Sequence, residues 1–596
     1  MRRQIYFERR VQRRLRNLFY ILIFLYACLA LRLIWIQVIR APYFAKKAEY
    51  YRLKRFVLHA RRGTIYDRNG VKLAVNVQAY DIGAHPKKIA KKDRPKIAAQ
   101  LAKILGCDEE FVLSKLSNDK AFVYIKRGVN ARAGLAIKEA KLPQVEVTSI
   151  IKRVYPAGGL GANVIGFTNI DGKGIEGLEK AYDKFLRGKD GYIIAEVDAR
   201  GRIIPGTVRQ RVEPVDGMDI ILTIDSTLQH NLEMELRKAY NDRRAAGASA
   251  VMIDPKTGEI MALANMPTFD PQEIAASDAA ARRNRAITDL YEPGSTLKTV
   301  TCSAALNEKV IDLDDTFYCR GSMGIGNHVI HCSLHGKFKG GHGQLNVAKV
   351  LQHSCNVGAA SIGLKLGPKK LYQYEKAFGL FDKPGTGMVG EMKGWAGKWQ
   401  DWPDIKVANI AFGQGIAVTP LQLAQVYAVI ANHGIMMRPH IVKEIRRPDG
   451  KPFRVFHPKI VRRVVTEETA DLIAEMLHGV VSGGTGKAAR VEGYRVAGKT
   501  GTAQKPSTVG KGYAAGKYVA SFVGFLPVTN PRAVILIAVD EPKDTQFGAV
   551  AAAPVFREVA RKAMWYMKVP PDDLPNSPPV ANRTKGREAN GKQRSG

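Results

Sequence analysis

Cysteine is scarce in this chain: six residues in 596. That excludes a small scaffold held together by disulfides. Acidic residues are few beside the basic ones, 55 Asp and Glu against 92 Lys and Arg, which leaves a formal net charge of +37. Positive charge of that size points to an anionic partner: nucleic acid, a membrane surface or an anionic substrate. The sequence has no zinc-finger spacing, no RNA-recognition signature and no basic stripe interleaved with aromatics, so nucleic acid is set aside. No period of roughly 20–50 residues recurs, which excludes solenoid and propeller repeats. Length alone suggests roughly four domains.

Long apolar runs are also missing, with one exception: Leu18 to Ile39, LFYILIFLYACLALRLIWIQVI. At ~1.5 Å per residue a helix of this length covers the ~30 Å core of a bilayer. Ahead of it stand Arg2, Arg3, Arg9, Arg10, Arg13, Arg14 and Arg16 against Glu8 alone. Arginines on that flank predict an N-terminus in the cytoplasm. No small-x-small cleavage site follows the run, so the expectation is an uncleaved signal anchor with everything after residue 40 outside the cytoplasm. Cys28 sits mid-segment near Tyr26, the wrong context for lipid attachment. Arg32, inside the span, either snorkels outward or faces a partner helix.

Beyond the anchor, Asp67-Arg68-Asn69-Gly70 reads as a turn between two extended runs. Ile97, Leu101, Ile104 and Leu105 predict an amphipathic helix, and Asp108 the N-cap of the next one. Val145 to Tyr155 reads as a strand. Residues 79–200 supply no pair of nucleophile and base, which predicts a structural or partner-binding role for this region. A new domain opens with the strand Asp219 to Asp225 and a helix from Ser226; Ala248–Asp254 and Ile260–Ala264 form a hairpin around a tight turn. Helices are predicted over 295–307, 346–366 and 420–433, and the last strands over Arg495–Gln504, Tyr518–Phe525 and Ala533–Glu541. From about Pro570 the chain has little to bury and is expected to be disordered.

Three short motifs carry chemistry. In Glu292-Pro293-Gly294-Ser295-Thr296-Leu297-Lys298, Ser295 and Lys298 are three apart and fall on one helical face. That places an amine beside a hydroxyl, and a hydroxyl needs a base before it becomes a nucleophile. Alone the pattern also describes a capped helix with a solvated lysine. Ser354-Cys355-Asn356 stands at the head of an apolar helical run, and Lys499-Thr500-Gly501-Thr502 on a predicted strand. Each is common by chance; the three in this order, on a helix, a helix head and a strand, are specific.

The set resembles the serine, Ser-x-Asn and Lys-Thr-Gly elements of the penicillin-recognising serine enzymes. Over almost the whole chain the sequence is similar to class B penicillin-binding proteins, most nearly the cell-division FtsI type. The resemblance includes the anchor, Arg62-Gly63, Arg153-Val154-Tyr155-Pro156, Gly174-Ile175-Glu176-Gly177, Thr223-Ile224-Asp225 and Gly413-Gln414-Gly415. It implies an α+β fold: one N-terminal transmembrane helix, an elongated α/β pedestal, and a transpeptidase domain of serine β-lactamase type with an antiparallel sheet flanked by helices. The domains expected are a cytoplasmic tail (1–17), a signal anchor (18–39), a non-catalytic, dimerisation-type pedestal (40–218), a transpeptidase domain (219–569) and a disordered tail (570–596).

The activity implied is a peptidoglycan D,D-transpeptidase that cross-links stem peptides at the septum and is inhibited by β-lactams. Ser295 would attack the penultimate D-alanine of a stem pentapeptide, with Lys298 as base. Ser354 would relay a proton, Asn356 would hold the substrate amide, and Lys499 would complete the polar wall. Thr500 and Thr502 would bind the terminal carboxylate, Gly501 lying between them, and the N–H groups of Ser295 and Thr502 would form the oxyanion hole. No cofactor or metal is expected. The implied partners are lipid-linked precursor, a SEDS-family glycosyltransferase of FtsW type, other divisome membrane proteins and the inner membrane. An elongation-type enzyme of the same chemistry is the nearest alternative, and a D,D-carboxypeptidase the next. A β-lactam sensor would carry several spans or a signalling domain, and a β-lactamase would lack the 40–218 region.

Cys319 and Cys332 bracket a predicted hairpin, with His328, His331, His335 and His342 nearby. Three readings stay open: a Cys319–Cys332 disulfide in an oxidising compartment, a zinc site built on Cys332 and the histidines, although the spacing matches no standard ligand pattern, or free thiols. Cys302 and Cys355 are expected in the core.

Overall fold

The protein is described by a computed structural model covering residues 2–198, 201–332, 340–507 and 512–573. The chain divides into two compact units, one of Met1–Arg61 with Gly188–Asp216 and one of Arg62–Arg187 with Gly217–Gly596.

In the first unit the N-terminal helix runs Arg2–Ile34 and continues as a π-helical turn, Trp35–Ile39. Its apolar stretch, Ile5–Ile39, buries none of its side chains against protein. So much exposed apolar surface has no counterpart in a water-soluble helix and suits a single membrane span. The Arg40 guanidinium lies 4.3 Å from the Trp35 ring centroid, a pairing suited to the membrane–water interface. Three antiparallel strands, Leu53–Leu58, Gly191–Val197 and Ile203–Val212, form a small sheet with Gly191–Val197 in the middle.

In the second unit the expected turn at Asp67–Gly70 joins Ile65–Tyr66 to Lys72–Ala84. Asp67 closes it by accepting from the N–H groups of Asn69 and Val71, each at 2.8 Å. The same carboxylate accepts from Ser226 Oγ (2.8 Å), and Asn69 donates to Asp225 (2.8 Å). Asp225 also caps the following helix, Ser226–Asp242. Two motifs far apart in sequence are therefore halves of one junction. The strands of residues 65–154 share a seven-stranded sheet with Asp219–Leu222, Val442–Arg446 and Pro452–Val455.

Beside this sheet lies a buried ionic cluster. Glu179 accepts from Arg62 Nε and Arg153 Nε, both at 2.7 Å, and Asp183 from Arg62 at 2.6 Å. Glu179 is fully buried. Glu179→Ala would leave two arginines buried with too little counter-charge, and loss of one partner of such a pair costs ~3–5 kcal/mol. Denaturant unfolding of the variant should show its stability lowered by that amount; a value within ~0.5 kcal/mol of the parent would refute the cluster's structural weight.

The second sheet has five strands: β1 (Gly247–Ile253), β2 (Ile260–Met266), β3 (Ala497–Pro506), β4 (Tyr513–Leu526) and β5 (Ala533–Asp540). All neighbours are antiparallel in the order β2-β1-β5-β4-β3, which leaves β3 at an edge. Nearly every residue of β1, β2 and β5 is buried, so these strands read as continuous apolar runs covered on both faces. Three helices build the walls around the serine motif: α1 (Lys298–Asn307), α2 (Asn356–Leu366) and α3 (Pro420–Ala431). Every residue of α3 is buried, and its first turn is fixed by a capping box between Thr419 and Gln422.

Two expectations need correction. The helix predicted over 346–366 is two helices, Val347–Gln352 and α2, because Ser354 adopts a left-handed φ of 57°. The tail expected to be disordered from residue 570 is held at its start: Asp572 accepts from the Arg495 N–H (2.8 Å) and Thr529 Oγ1 (2.8 Å). Residues 574–596 lie outside the described part, as does His335.

Candidate active site

Ser295 lies in a 3₁₀ turn, Gly294–Leu297, that leads directly into α1. The turn is pinned from below: Tyr427 of α3 donates to Thr296 O (2.9 Å), and its hydroxyl also bonds Thr299 Oγ1 (2.8 Å). It is pinned from the side by Gly413, whose carbonyl accepts from Gly294 N (2.9 Å). Gly413 has φ +91°, and a Cβ there would stand 2.0 Å from Gly294 O, so only glycine fits. Gly415 donates its N–H to Glu292 (2.9 Å). These contacts account for the Gly413-Gln414-Gly415 motif, which holds the serine turn in place.

Lys298 is the first residue of α1 and is fully buried. Its Nζ lies 2.9 Å from Ser295 Oγ, 2.7 Å from Ser354 O, 2.7 Å from Asn356 Oδ1 and 3.3 Å from Ser354 Oγ. Burial pushes its pKa down to about 8, partly offset by the nearby Cys355, Cys332 and Cys302. A neutral amine at that spot keeps two N–H donors for Ser354 and Asn356 and turns its lone pair toward the Ser295 hydroxyl.

The break at Ser354 has a purpose. Its left-handed backbone turns the carbonyl toward Lys298 while its Oγ faces a second amine, Lys499 Nζ, at 2.9 Å. Lys499 is also fully buried, and burial together with the Lys298 charge holds it well below the usual lysine range. Ser354 Oγ therefore bridges two amines. The Asn356 side chain is fixed at both ends, Oδ1 on Lys298 and Nδ2 on the His331 carbonyl at 3.1 Å.

Lys499, Thr500, Gly501 and Thr502 lie along β3, whose free edge faces the serine turn. Gly501 is fully enclosed: a Cβ would meet Ser521 Oγ at 2.3 Å and Pro293 O at 3.0 Å. Thr500 Oγ1 donates to Thr485 Oγ1 (3.2 Å), and Thr502 Oγ1 accepts from Gly548 N (3.4 Å). All eight residues singled out from the motifs thus converge on one cleft. Thr485 joins them without a sequence signal of its own beyond the glycines on either side, Gly484 and Gly486. The cleft offers a hydroxyl beside a buried amine, a row of hydroxyls backed by two buried amines, and a strand that is the edge of its sheet among the described residues. That suits an extended peptide ending in a carboxylate.

Cys319 and Cys332 are free thiols, as are Cys302 and Cys355. The disulfide reading gives way to a different grouping: Cys319 Sγ and Cys332 Sγ lie 3.6 and 3.4 Å from His342 Nδ1.

The sequence matches the penicillin binding protein transpeptidase domain over residues 248–561 and the penicillin-binding protein dimerisation domain over residues 57–222. It is similar to the peptidoglycan D,D-transpeptidase FtsI of Escherichia coli K12, 35% identical over 555 residues, covering 91% of this chain and 90% of that one. The stage V sporulation protein D of Bacillus subtilis is 37% identical over 517 residues, covering 86% and 79%. The fold superposes on the crystal structure of penicillin-binding protein 3 of Mycobacterium tuberculosis complexed with aztreonam, with a TM-score of 0.68, 30% identity and coverage of 87% and 98%. The Ser295–Lys298 pair, the Ser354 bridge and the β3 edge thus belong to a chain carrying both a dimerisation and a transpeptidase domain, and the chain belongs to the class B penicillin-binding proteins.

Proposed function

We propose that this chain is a peptidoglycan D,D-transpeptidase of the FtsI type, working through an acyl-enzyme on Ser295. The observation that carries the reading is the 2.9 Å contact between Lys298 Nζ and Ser295 Oγ inside a fully buried amine pair. Lys298 takes the serine proton as Ser295 Oγ bonds to the carbonyl carbon of the penultimate D-alanine. Backbone N–H groups of Ser295 and Thr502 stabilise the oxyanion. Ser354, between the two amines, passes a proton to the departing D-alanine. Thr500 and Thr502, backed by Lys499, receive the terminal carboxylate, and Asn356 orients the substrate amide. An amine from a neighbouring stem then attacks the acyl-enzyme, forming the cross-link and freeing Ser295. β-Lactams, which resemble the terminal dipeptide, acylate the same serine.

The expected partners are the stem pentapeptide of a lipid-linked precursor and, through the anchor and the domain preceding the transpeptidase domain, an FtsW-type glycosyltransferase and other divisome membrane proteins. Seven arginines precede the span and favour an N-terminus in the cytoplasm, with the catalytic cleft on the outer face of the inner membrane. Both placements are tested together. A fluorescent penicillin that does not cross the membrane should label the chain in intact cells and concentrate at division sites. Cells depleted of the chain should form filaments. Rounded cells would assign it to elongation instead, and absence of labelling until the membrane is breached would reverse the orientation.

A further inference from the structure

Behind the Ser354-Cys355-Asn356 segment, four side chains from four separate stretches of chain converge. Cys319 ends the strand Thr316–Cys319, and Cys332 follows the strand His328–His331. His342 precedes the strand Gly343–Asn346, and Cys355 is the N-cap residue of α2. The three cysteines are buried, at 0%, 2% and 0% exposure. The three sulfurs and a ring nitrogen all lie within 4.8 Å of one another. We propose that these four residues form a structural zinc site of Cys₃His type.

The distances carry the argument. With Zn–S near ~2.3 Å and Zn–N near ~2.0–2.1 Å, a tetrahedral centre sets its sulfurs ~3.8 Å apart and sulfur to nitrogen ~3.6 Å. The cluster has Cys332 Sγ to Cys355 Sγ at 3.7 Å, Cys319 Sγ to His342 Nδ1 at 3.6 Å and Cys332 Sγ to His342 Nδ1 at 3.4 Å. A disulfide needs ~2.05 Å between sulfurs, and a bond between any two of the three would strand the third thiol beside the imidazole. A ligand set of four closes the coordination sphere, which is the pattern of a structural rather than a catalytic zinc. The surroundings suit the charge: Gly358 N–H points at Cys355 Sγ at 3.3 Å, the kind of outer contact that steadies a metal-bound thiolate. On binding, the thiol protons pass to solvent.

The site has a consequence for the cleft. Cys355 stands between Ser354 and Asn356, and Asn356 also bonds the carbonyl of His331, next to Cys332. The metal would tie the hairpin to the head of α2 and hold Ser354 in its left-handed conformation. In this role the four ligands are positioning residues, and only this consequence rests on the proposed acylation of Ser295.

The test uses the full-length chain, purified in detergent without a metal-binding tag. Elemental analysis should find about one zinc per chain in the parent and in Cys107→Ser, whose cysteine lies elsewhere. In Cys319→Ser and His342→Gln the zinc should fall by ~10-fold or more. If those variants fail to fold, the parent decides: after zinc is removed and cobalt(II) supplied, it should show the visible absorption of tetrahedral thiolate-bound cobalt. Parent protein with no more zinc than the variants and no cobalt spectrum would overturn the site. So would a disulfide joining Cys332 to Cys319 or Cys355 in non-reducing peptide maps. Removal of zinc should slow penicillin acylation by ~10-fold, with recovery when zinc is returned. Folded, metal-free protein that acylates at the parent rate would overturn the positioning role while leaving the site intact.

Discussion

Ser295→Ala should take up no labelled penicillin, while the parent forms one stable adduct that peptide mapping places on Ser295. Among the described residues near the cleft, Ser295 is the hydroxyl that touches Lys298 and also stands partly open to solvent. Ser354 also faces the amines, but it is buried and held by both of them. Loss of the nucleophile in serine enzymes costs roughly 10⁶ in turnover, so no slow residual labelling is expected on the time scale of the assay. The substitution removes one half-buried hydroxyl and its hydrogen bond to Lys298, worth ~1 kcal/mol, so the melting temperature should stay within a few degrees of the parent. A label mapped to another residue, or a folded Ser295→Ala protein that still forms the adduct, would remove Ser295 from its role.

The second large effect is expected at Lys298. Two jobs are open to an amine there: base toward Ser295, or a positive charge that helps to hold the substrate carboxylate. Geometry favours the first. The amine is already within hydrogen-bonding distance of the hydroxyl, and burial brings its pKa down to about 8, so the neutral form is populated near neutral pH. Lys499 stands beside the threonine row and is placed for the second job. Lys298→Arg keeps the charge but cannot supply a neutral base at working pH, because a guanidinium holds its proton. The second-order rate of acylation by a chromogenic β-lactam should therefore fall by ~10²–10⁴-fold, the usual scale of general base catalysis. A guanidinium is also bulkier than the ammonium that Ser354 and Asn356 enclose, so the melting temperature must be compared with the parent. A folded Lys298→Arg protein that acylates within a small factor of the parent would assign Lys298 the charge role.

Much of this molecule is legible in its sequence. The single apolar run of Leu18–Ile39 is long enough for a bilayer, and no fold is needed to see it. The cap at Asp108 and the turn at Asp67–Gly70 are local hydrogen-bond patterns, written in a few adjacent residues. The strands around residues 250, 262, 522 and 537 are visible as apolar runs between turn signals. Ser295 and Lys298 meet because a helical spacing of three brings side chains together whatever the rest of the chain does.

Other features are beyond the reach of local reading. The run from 346 to 366 has helical periodicity throughout, yet the left-handed backbone of Ser354 breaks it and sets the Ser354 carbonyl on Lys298 and its hydroxyl on Lys499. Nothing about Glu179 by itself announces a partner for both Arg62 and Arg153. Thr485 reaches Thr500 only because its turn packs against the edge strand.

The cysteines show the division most clearly. Sequence alone determined that the chain holds too few of them for a disulfide scaffold, and the spacing of three set the Ser295 hydroxyl and the Lys298 amine on one helical face. It also determined the one long apolar N-terminal helix, since that depends on length and hydropathy. Only the tertiary structure decided that Cys319, Cys332, His342 and Cys355 surround one point, that Ser354 turns left-handed between two amines, and that β3 lies beside Ser295. These are distances between residues far apart in the chain, set by the packing of a sheet edge, a helix head and a hairpin, and no period or spacing in the sequence encodes them.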